Sequence, residues 1–265
     1  MIRFDRFPEG KTHALVFSFD DGRIEDMQLA DLLEKYLLKA TFHINSGRLD
    51  RPGYLSTRQV AQISKFHEIA LHGENHARLV NCTSASIVQE VLRDRFHLEK
   101  KMGGILQGFS YPYGDLNDVI YRSVSACGIK YARTTNSTHC FGLPEDFLLW
   151  KPTCHIYETS ESLGKFLEKL PYLGQALLFL IWGHSFELEK DNRWEELESF
   201  FCNIAGREEI WYATCGDIYS YVQAMRNLRV SADENIIENP SSRSVWISYD
   251  KEPLEIHGGE CIKLN

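Results

Sequence analysis

Two adjacent carboxylates close an apolar run in the stretch SFDDGRIED, Ser18 to Asp26, where Asp20, Asp21 and Gly22 follow a segment that begins at Ala14. Side chains alternate along a strand, so neighbours cannot share a face of a regular one. Two carboxylates held together also repel unless something positive lies close by. Asp-Asp-Gly is ordinary turn chemistry as well. A second stretch, ALHGENHARL from Ala70 to Leu79, carries His72 and His76 four residues apart. On a helical turn such a pair shares a face and can reach one metal ion. The zinc-protease pattern needs a glutamate directly after the first histidine. Here Gly73 stands in that place and Glu74 follows it, which disfavours a metalloprotease. One carboxylate with two imidazoles leaves coordination positions open, as a catalytic zinc requires. Water on such an ion becomes a usable nucleophile near neutral pH. One aspartate then suffices as ligand, and its neighbour is free to act as general base.

These residues need a frame to position them. Strand-like runs at Ala14–Phe19, Ala40–Ile44, Glu68–Leu71, Gln107–Tyr111, Ile129–Ala132, Ala176–Trp182 and Glu209–Tyr212 alternate with stretches of helical period. The latter are Ile24–Leu38, Ser56–Phe66, Ser84–Lys101, Leu116–Cys127, Glu161–Leu170, Trp194–Ile204 and Ile218–Met225. The alternation predicts an α/β protein with a parallel sheet and helices outside it. Some seven such units are enough to close a barrel. A doubly wound open sheet is the alternative, although no G-x-G-x-x-G follows any strand. The aspartate pair and the histidine pair both fall at C-terminal strand ends, where barrels build active sites. After Arg226 the helical period stops, and residues 227–265 show turn signals and short alternating runs such as Val245–Ser248. We expect a barrel domain over residues 1–226 with a small C-terminal β appendage, 227–265, packed on it.

The chain has 265 residues, a net charge of −8 and no basic patch, which argues against nucleic acid as a partner. Its longest apolar run, Ala176 to Trp182, is too short for a membrane span. The segment from Met1 to His13 is charged throughout and lacks the apolar core of a secretory signal. Seven cysteines without a C-x-x-C pair read as reduced thiols, so a cytoplasmic location is expected. No feature points to an oligomeric state.

With these residues in place, the sequence resembles the polysaccharide deacetylases, carbohydrate esterase family four, over roughly residues 10–225. SFDDG matches the family's first motif, and HGENH resembles its second, with Gly73 in place of a hydroxyl residue. SYPYG, Ser110 to Gly114, resembles the third, with Ser110 where an arginine usually stands. WGHSF, Trp182 to Phe186, resembles the fifth, and no good match to the fourth is present. The resemblance implies a distorted (β/α)7–8 barrel. It implies Asp20 as catalytic base, Asp21, His72 and His76 as metal ligands, the Tyr113 backbone N–H on the oxyanion, and His184 as general acid. The reaction implied is metal-assisted removal of N-acetyl groups from an amino-sugar-containing saccharide. Zinc is the expected ion, and cobalt, nickel or manganese also suit one aspartate and two histidines. Arg133, at the end of a predicted strand, is a candidate replacement for the third-motif arginine. Trp182 and Tyr113 are candidates for an apolar wall against the substrate, and Glu187 for orienting His184. Hydrolysis of another non-peptide C–N bond, or a non-catalytic carbohydrate-binding module, are the competing readings.

Overall fold

The computed structural model describes residues 1–168 and 175–264. Lys169 and Leu170, the expected end of one helix, lie outside the described residues, as does Asn265 at the end of the expected appendage. After a two-residue strand β1 (Ile2–Arg3), the chain runs β2 (His13–Asp20), α1 (Asp26–Lys35), β3 (Ala40–Ile44) and α2 (Thr57–Ile63). It continues through β4 (Glu68–Leu71), α3 (Ser84–Met102), β5 (Gly108–Ser110), α4 (Asp118–Ala126), β6 (Tyr131–Arg133), β7 (Cys154–His155) and α5 (Thr159–Glu168). Then come β8 (Leu177–Gly183), α6 (Ser185–Lys190), α7 (Trp194–Ile204), β9 (Ile210–Ala213) and α8 (Cys215–Arg226). Five short strands follow, β10 (Arg229–Val230), β11 (Ile236–Glu238), β12 (Val245–Tyr249), β13 (Glu252–Ile256) and β14 (Cys261–Lys263).

Strand β2 is buried along its whole length, as a central strand of a parallel sheet must be. Leu15, Phe17 and Phe19 pack with Leu29 and Leu33 of α1 and Phe201 of α7. Ala14 and Val16 point the other way, into a second cluster with Leu178, Leu180, Ile218 and Val222. Ser18 and Asp20 continue this second face, so it turns polar toward the strand's C-terminal end. Strands lie in the order β6-β5-β4-β3-β2-β8-β7, with β9 also against β2, and all these pairs are parallel. Trp150 bridges back to Arg133 in a parallel sense, and Thr153 N–H reaches Leu180 O at 2.8 Å. These contacts carry the wall from β6 round to β8, and the sheet curls into a distorted barrel.

Among the elements of the barrel, two were not legible in the sequence. Strand β7 is two residues long and has no period to detect, and α6 is six residues that begin directly behind His184. Strand β6 sits later than Ile129–Ala132, which brings Arg133 into the sheet. Helix α8 begins before the expected Ile218 because Thr214 and Asp217 form a reciprocal cap.

At the barrel end away from Asp20, Glu68 opens β4 and accepts from Thr41 Oγ1 at 2.7 Å, from Gly216 N at 2.9 Å and from the Tyr131 hydroxyl. One carboxylate thus ties β3 and β6 to the start of α8. The terminal strands form two three-stranded sheets, β10-β11-β14 and β1-β12-β13. Ile237, Ile247, Ile256 and Leu264 make a small core between them. The first strand of the chain therefore belongs to a sheet made otherwise of C-terminal residues. Tyr221 of α8 fastens this unit, donating to Arg6 O at 3.0 Å and accepting from Trp246 N at 2.9 Å. Arg6 precedes β2, so the unit sits by the strand's start and away from Asp20. Among the described residues no helix is long and apolar enough to cross a membrane.

Replacing Glu68 by Ala strands three donors at once, and the unfolding free energy should fall by about 2 kcal/mol or more. Urea titration checks the loss. The far end of the barrel around Asp20 should keep its structure, because no contact of Glu68 reaches it.

Candidate metal-binding active site

Asp20 ends β2 on its polar inner face, and Asp21 leaves the strand at once with φ of 83°, followed by Gly22 at 64°. The left-handed turn breaks the alternation, so both carboxylates address one cleft. Aspartate tolerates that conformation better than most side chains. Asp21 Oδ1 lies 3.6 Å from His72 Nε2 and 3.4 Å from His76 Nε2. The two imidazole centroids are 4.8 Å apart.

The histidines do not stand on a helical turn, contrary to the expectation from their spacing. Residues 72–78 form a loop in which Gly73 has φ of 79° and His76 of 58°. Two left-handed residues fold the loop back on itself and bring the rings together. Glycine at 73 has a physical reason: a Cβ there would meet the Glu90 side chain at 3.3 Å in addition to the strained φ. Glu90 of α3 accepts from Asn75 N at 2.6 Å and Ala77 N at 3.2 Å. Asp94, one turn on, accepts from Ser46 N at 2.7 Å and His72 N at 3.1 Å. Asn45 donates to His72 O and Gly73 O, both at 2.7 Å. Burial pushes the Asp94 carboxyl up to about 7 despite these donors.

Asp21, His72 and His76 have the donor set and the orientation of a metal site. His72 Nδ1 lies 2.9 Å from Ser110 O, which fixes the proton on that nitrogen and leaves the Nε2 lone pair free. Nε2 is buried, hydrogen-bonds no protein group, and faces Asp21. A second trio, His155, His184 and Glu187, has comparable spacing. There His155 Nδ1 accepts from Tyr157 N at 3.4 Å, so Nε2 carries the proton toward Glu187 at 3.1 Å. That is a neutral imidazole hydrogen-bonded to a carboxylate, and His155 has no lone pair left facing the trio.

Asp20 is buried and grips Arg133 through both carboxylate oxygens. Arg133 Nε also donates to Ser18 Oγ at 2.8 Å, and Ser110 Oγ donates to Asp20 Oδ1 at 2.9 Å. Burial alone would raise the Asp20 carboxyl, but Arg133, helped by His72, His43 and His184, holds it well below the ordinary carboxylate range. The same Ser110 Oγ is 2.6 Å from His72 Nδ1, which links the two aspartates' environments through one hydroxyl. His43 lies behind Asp20, 3.0 Å from Ser18 Oγ, and burial pushes it down to about 3.

His184 follows β8 and sits 3.2 Å from Glu187 Oε2. Burial would depress its imidazole, yet Glu187 and the field of Asp20 and Asp21 more than offset this and raise it. Burial likewise opposes Glu187's ionisation, while His155 and His184 bring that carboxyl down to about 2. Trp182 is half-buried, with Arg133 Cζ 5.0 Å from its ring and His184 at 5.8 Å between centroids. Tyr113 has φ of 61°, and its exposed ring packs 4.5 Å from that of His76. Sequence reasoning marked neither His155 nor Asp26. Asp26 is fully buried at the start of α1, where neither oxygen makes a hydrogen bond of normal geometry, and burial pushes it up to about 8 despite the nearby Ser185 hydroxyl. An acid in a helix's first turn is ordinary, so no signal marked it.

Residues 8–132 match the family model described as polysaccharide deacetylase. A peptidoglycan-N-acetylglucosamine deacetylase of Bacillus cereus is 30% identical over 118 residues, 44% of this chain and 54% of that protein. The chain thus spans about half the length of this curated relative. A Mycobacterium smegmatis structure carrying the polysaccharide deacetylase name superposes with a TM-score of 0.62 at 18% identity, covering 83% of this chain and 93% of that one. The Xyl-CE4 domain of a xylanase from the hindgut metagenome of Trinervitermes trinervoides gives 0.57 at 16% identity, covering 80% and 92%. These likenesses establish the fold.

Arg133→Met should cost about 3–5 kcal/mol in urea unfolding at neutral pH, because Asp20 is left buried and unpaired. The deficit should shrink as pH falls toward 3.8, where the unfolded carboxyl also takes up its proton. Adding Asp20→Asn to that variant should recover most of it. Asp26 acts with the opposite sign: its folded form keeps a proton from 3.8 up to about 8, so its contribution is full below that window and falls as pH climbs. Asp26→Asn should therefore gain thermal stability over the native chain, by more at pH 8 than at pH 5.

Proposed function

We propose, on the premise that residues 8–132 carry the polysaccharide deacetylase family's sequence, that the protein is a metal-dependent deacetylase of an N-acetylated amino-sugar saccharide. One observation carries the reading: an aspartate and two histidines face one another beside a second aspartate that is buried, ionised and free of that trio. Asp21, His72 and His76 would hold a divalent ion, with zinc the best fit to their donors. Such an ion supplies Lewis acidity and a low pKa for water.

The chain's own residues then have separate tasks. Asp20 takes the proton of the attacking water while the water oxygen bonds to the acetyl carbon. Arg133 keeps Asp20 charged and fixed, in the place of the family's third-motif arginine. The Tyr113 N–H donates to the carbonyl oxygen as it gains charge. His184, raised in pKa, gives a proton to the sugar nitrogen as the C–N bond breaks, which releases acetate and a free amine. Trp182 and the Tyr113 ring flank the acetyl group and sugar. The seven irregularly spaced cysteines support a reducing compartment, hence a cytoplasmic substrate.

The test is acetate release from N-acetylglucosamine oligomers by the metal-reconstituted protein. Asp20→Asn should lower turnover by at least about 100-fold, and chelation should abolish it. Arg133→Ala should move the acid limb of the pH–rate profile upward, since Asp20 loses its main counter-charge. A protein that binds one metal per chain yet releases no acetate would overturn the deacetylase reading.

A further inference from the structure

We propose that the cleft selects an anionic substrate: a sugar that bears a carboxylate or phosphate, docked on Arg48 and Arg23 beside the metal trio. The class of sugar rests on the deacetylase reading; the anion preference rests on the arginines. The chain carries a net charge of −8, yet it places two guanidiniums on one ring at the rim of this site. Arg23 Cζ lies 4.6 Å and Arg48 Cζ 5.5 Å from the Tyr54 centroid. Like charges brought together need compensation, and the protein supplies little. Arg48 donates only to neutral acceptors, the Tyr54 hydroxyl at 2.8 Å and Asn75 O at 3.2 Å, and it pairs with no carboxylate among the described residues. Arg23 Nε is 3.9 Å from Glu25 Oε2, and neither atom forms a hydrogen bond.

The position of the pair is tied to the reacting groups. Asn75, which holds Arg48, is the residue before His76. Arg23 follows Asp20-Asp21-Gly22, and its Cζ lies 5.5 Å from the Phe186 ring, itself 5.2 Å from that of His184. The two cations therefore bridge the rim from the ligand loop to the general-acid loop. They are also preorganised. Arg23 and Tyr54 form an antiparallel bridge, flanked by Ile24 N–H to Gly53 O at 3.2 Å and Leu55 N–H to Gly22 O at 2.9 Å. Guanidinium forks match carboxylate and phosphate geometry, and a charge-assisted pair outweighs a neutral one.

The experiment is calorimetric binding to the metal-loaded chain with three probes: neutral di-N-acetylchitobiose, an N-acetylglucosaminyl-N-acetylmuramic acid disaccharide, and N-acetylglucosamine 6-phosphate. At least one anionic probe should bind about tenfold tighter than the neutral one, the size of one charge-assisted bond. Which one does separates carboxylate from phosphate. The ratio of anionic to neutral affinity should collapse toward one in Arg48→Gln, in Arg23→Gln and at high salt. Arg48→Lys should keep only part of the preference. Metal content and melting temperature of each variant separate lost recognition from lost folding. Equal affinities for all probes, an unchanged ratio in both glutamine variants, or no binding at all would overturn the proposal. Because the readout is binding, anion preference without acetate release would sink the deacetylase reading alone. Acetate release without anion preference would sink this one alone.

Discussion

The contact between Asp20 and Arg133 sets the conditions for the rest of the cleft. Their strands, β2 and β6, are separated by β3, β4 and β5 in the sheet. Four strand spacings in a flat sheet would hold the two strands about 19 Å apart, beyond the reach of an arginine. They meet because the sheet curls and both side chains point inward. Curl and ion pair thus depend on one another. A buried carboxylate without that cation would protonate or unfold the strand end, and a flat sheet would leave the cation nothing to bind. Ser18, Ser110 and His43 complete the inner surround with hydrogen bonds, so the charge is fixed in direction as well as sign.

Around this pair the backbone departs from regular geometry at three residues that line the cleft. Asp21, His76 and Tyr113 all have positive φ, each at or after a C-terminal strand end. Such conformations are unfavourable for non-glycine residues and persist only where the surroundings over-determine them. Here the surroundings are identifiable. The side chains of Glu90, Asp94 and Asn45 make six hydrogen bonds to the backbone of the 72–78 loop and of Ser46. The long helix α3 serves the site more through its two inward acids than through its apolar face.

The same environment drives two titratable groups apart. Asp20 is held charged by an arginine, while His184 is pushed toward its protonated form by Glu187 and by the aspartates across the cleft. One group ready to accept a proton and another ready to donate one arise from a single arrangement of charges. His155 extends this by anchoring Glu187, whose carboxylate would otherwise be free to turn from His184.

Much of the fold was legible in the sequence because a parallel barrel repeats one local pattern. Buried runs such as Ala40–Ile44 and Glu68–Leu71, and the helix Trp194–Ile204, announce their type and bounds through burial period alone. The two aspartates and two histidines were legible because their residue types are costly to place together without a metal. What the sequence did not hold was conformation and partnership across the barrel. The spacing of His72 and His76 suggested a helical turn, whereas two left-handed residues, stabilised from α3, do the same work in a loop. Strand β1 found its partner in the C-terminal unit, a pairing that no local pattern encodes. Arg133 was one cation among many until the curl brought it to Asp20, and His155 had no visible partner until α6 delivered Glu187. Local spacing fixes which side chains are available; only closure of the sheet decides which of them meet, because the groups that tune one another's charge lie on strands far apart in the chain.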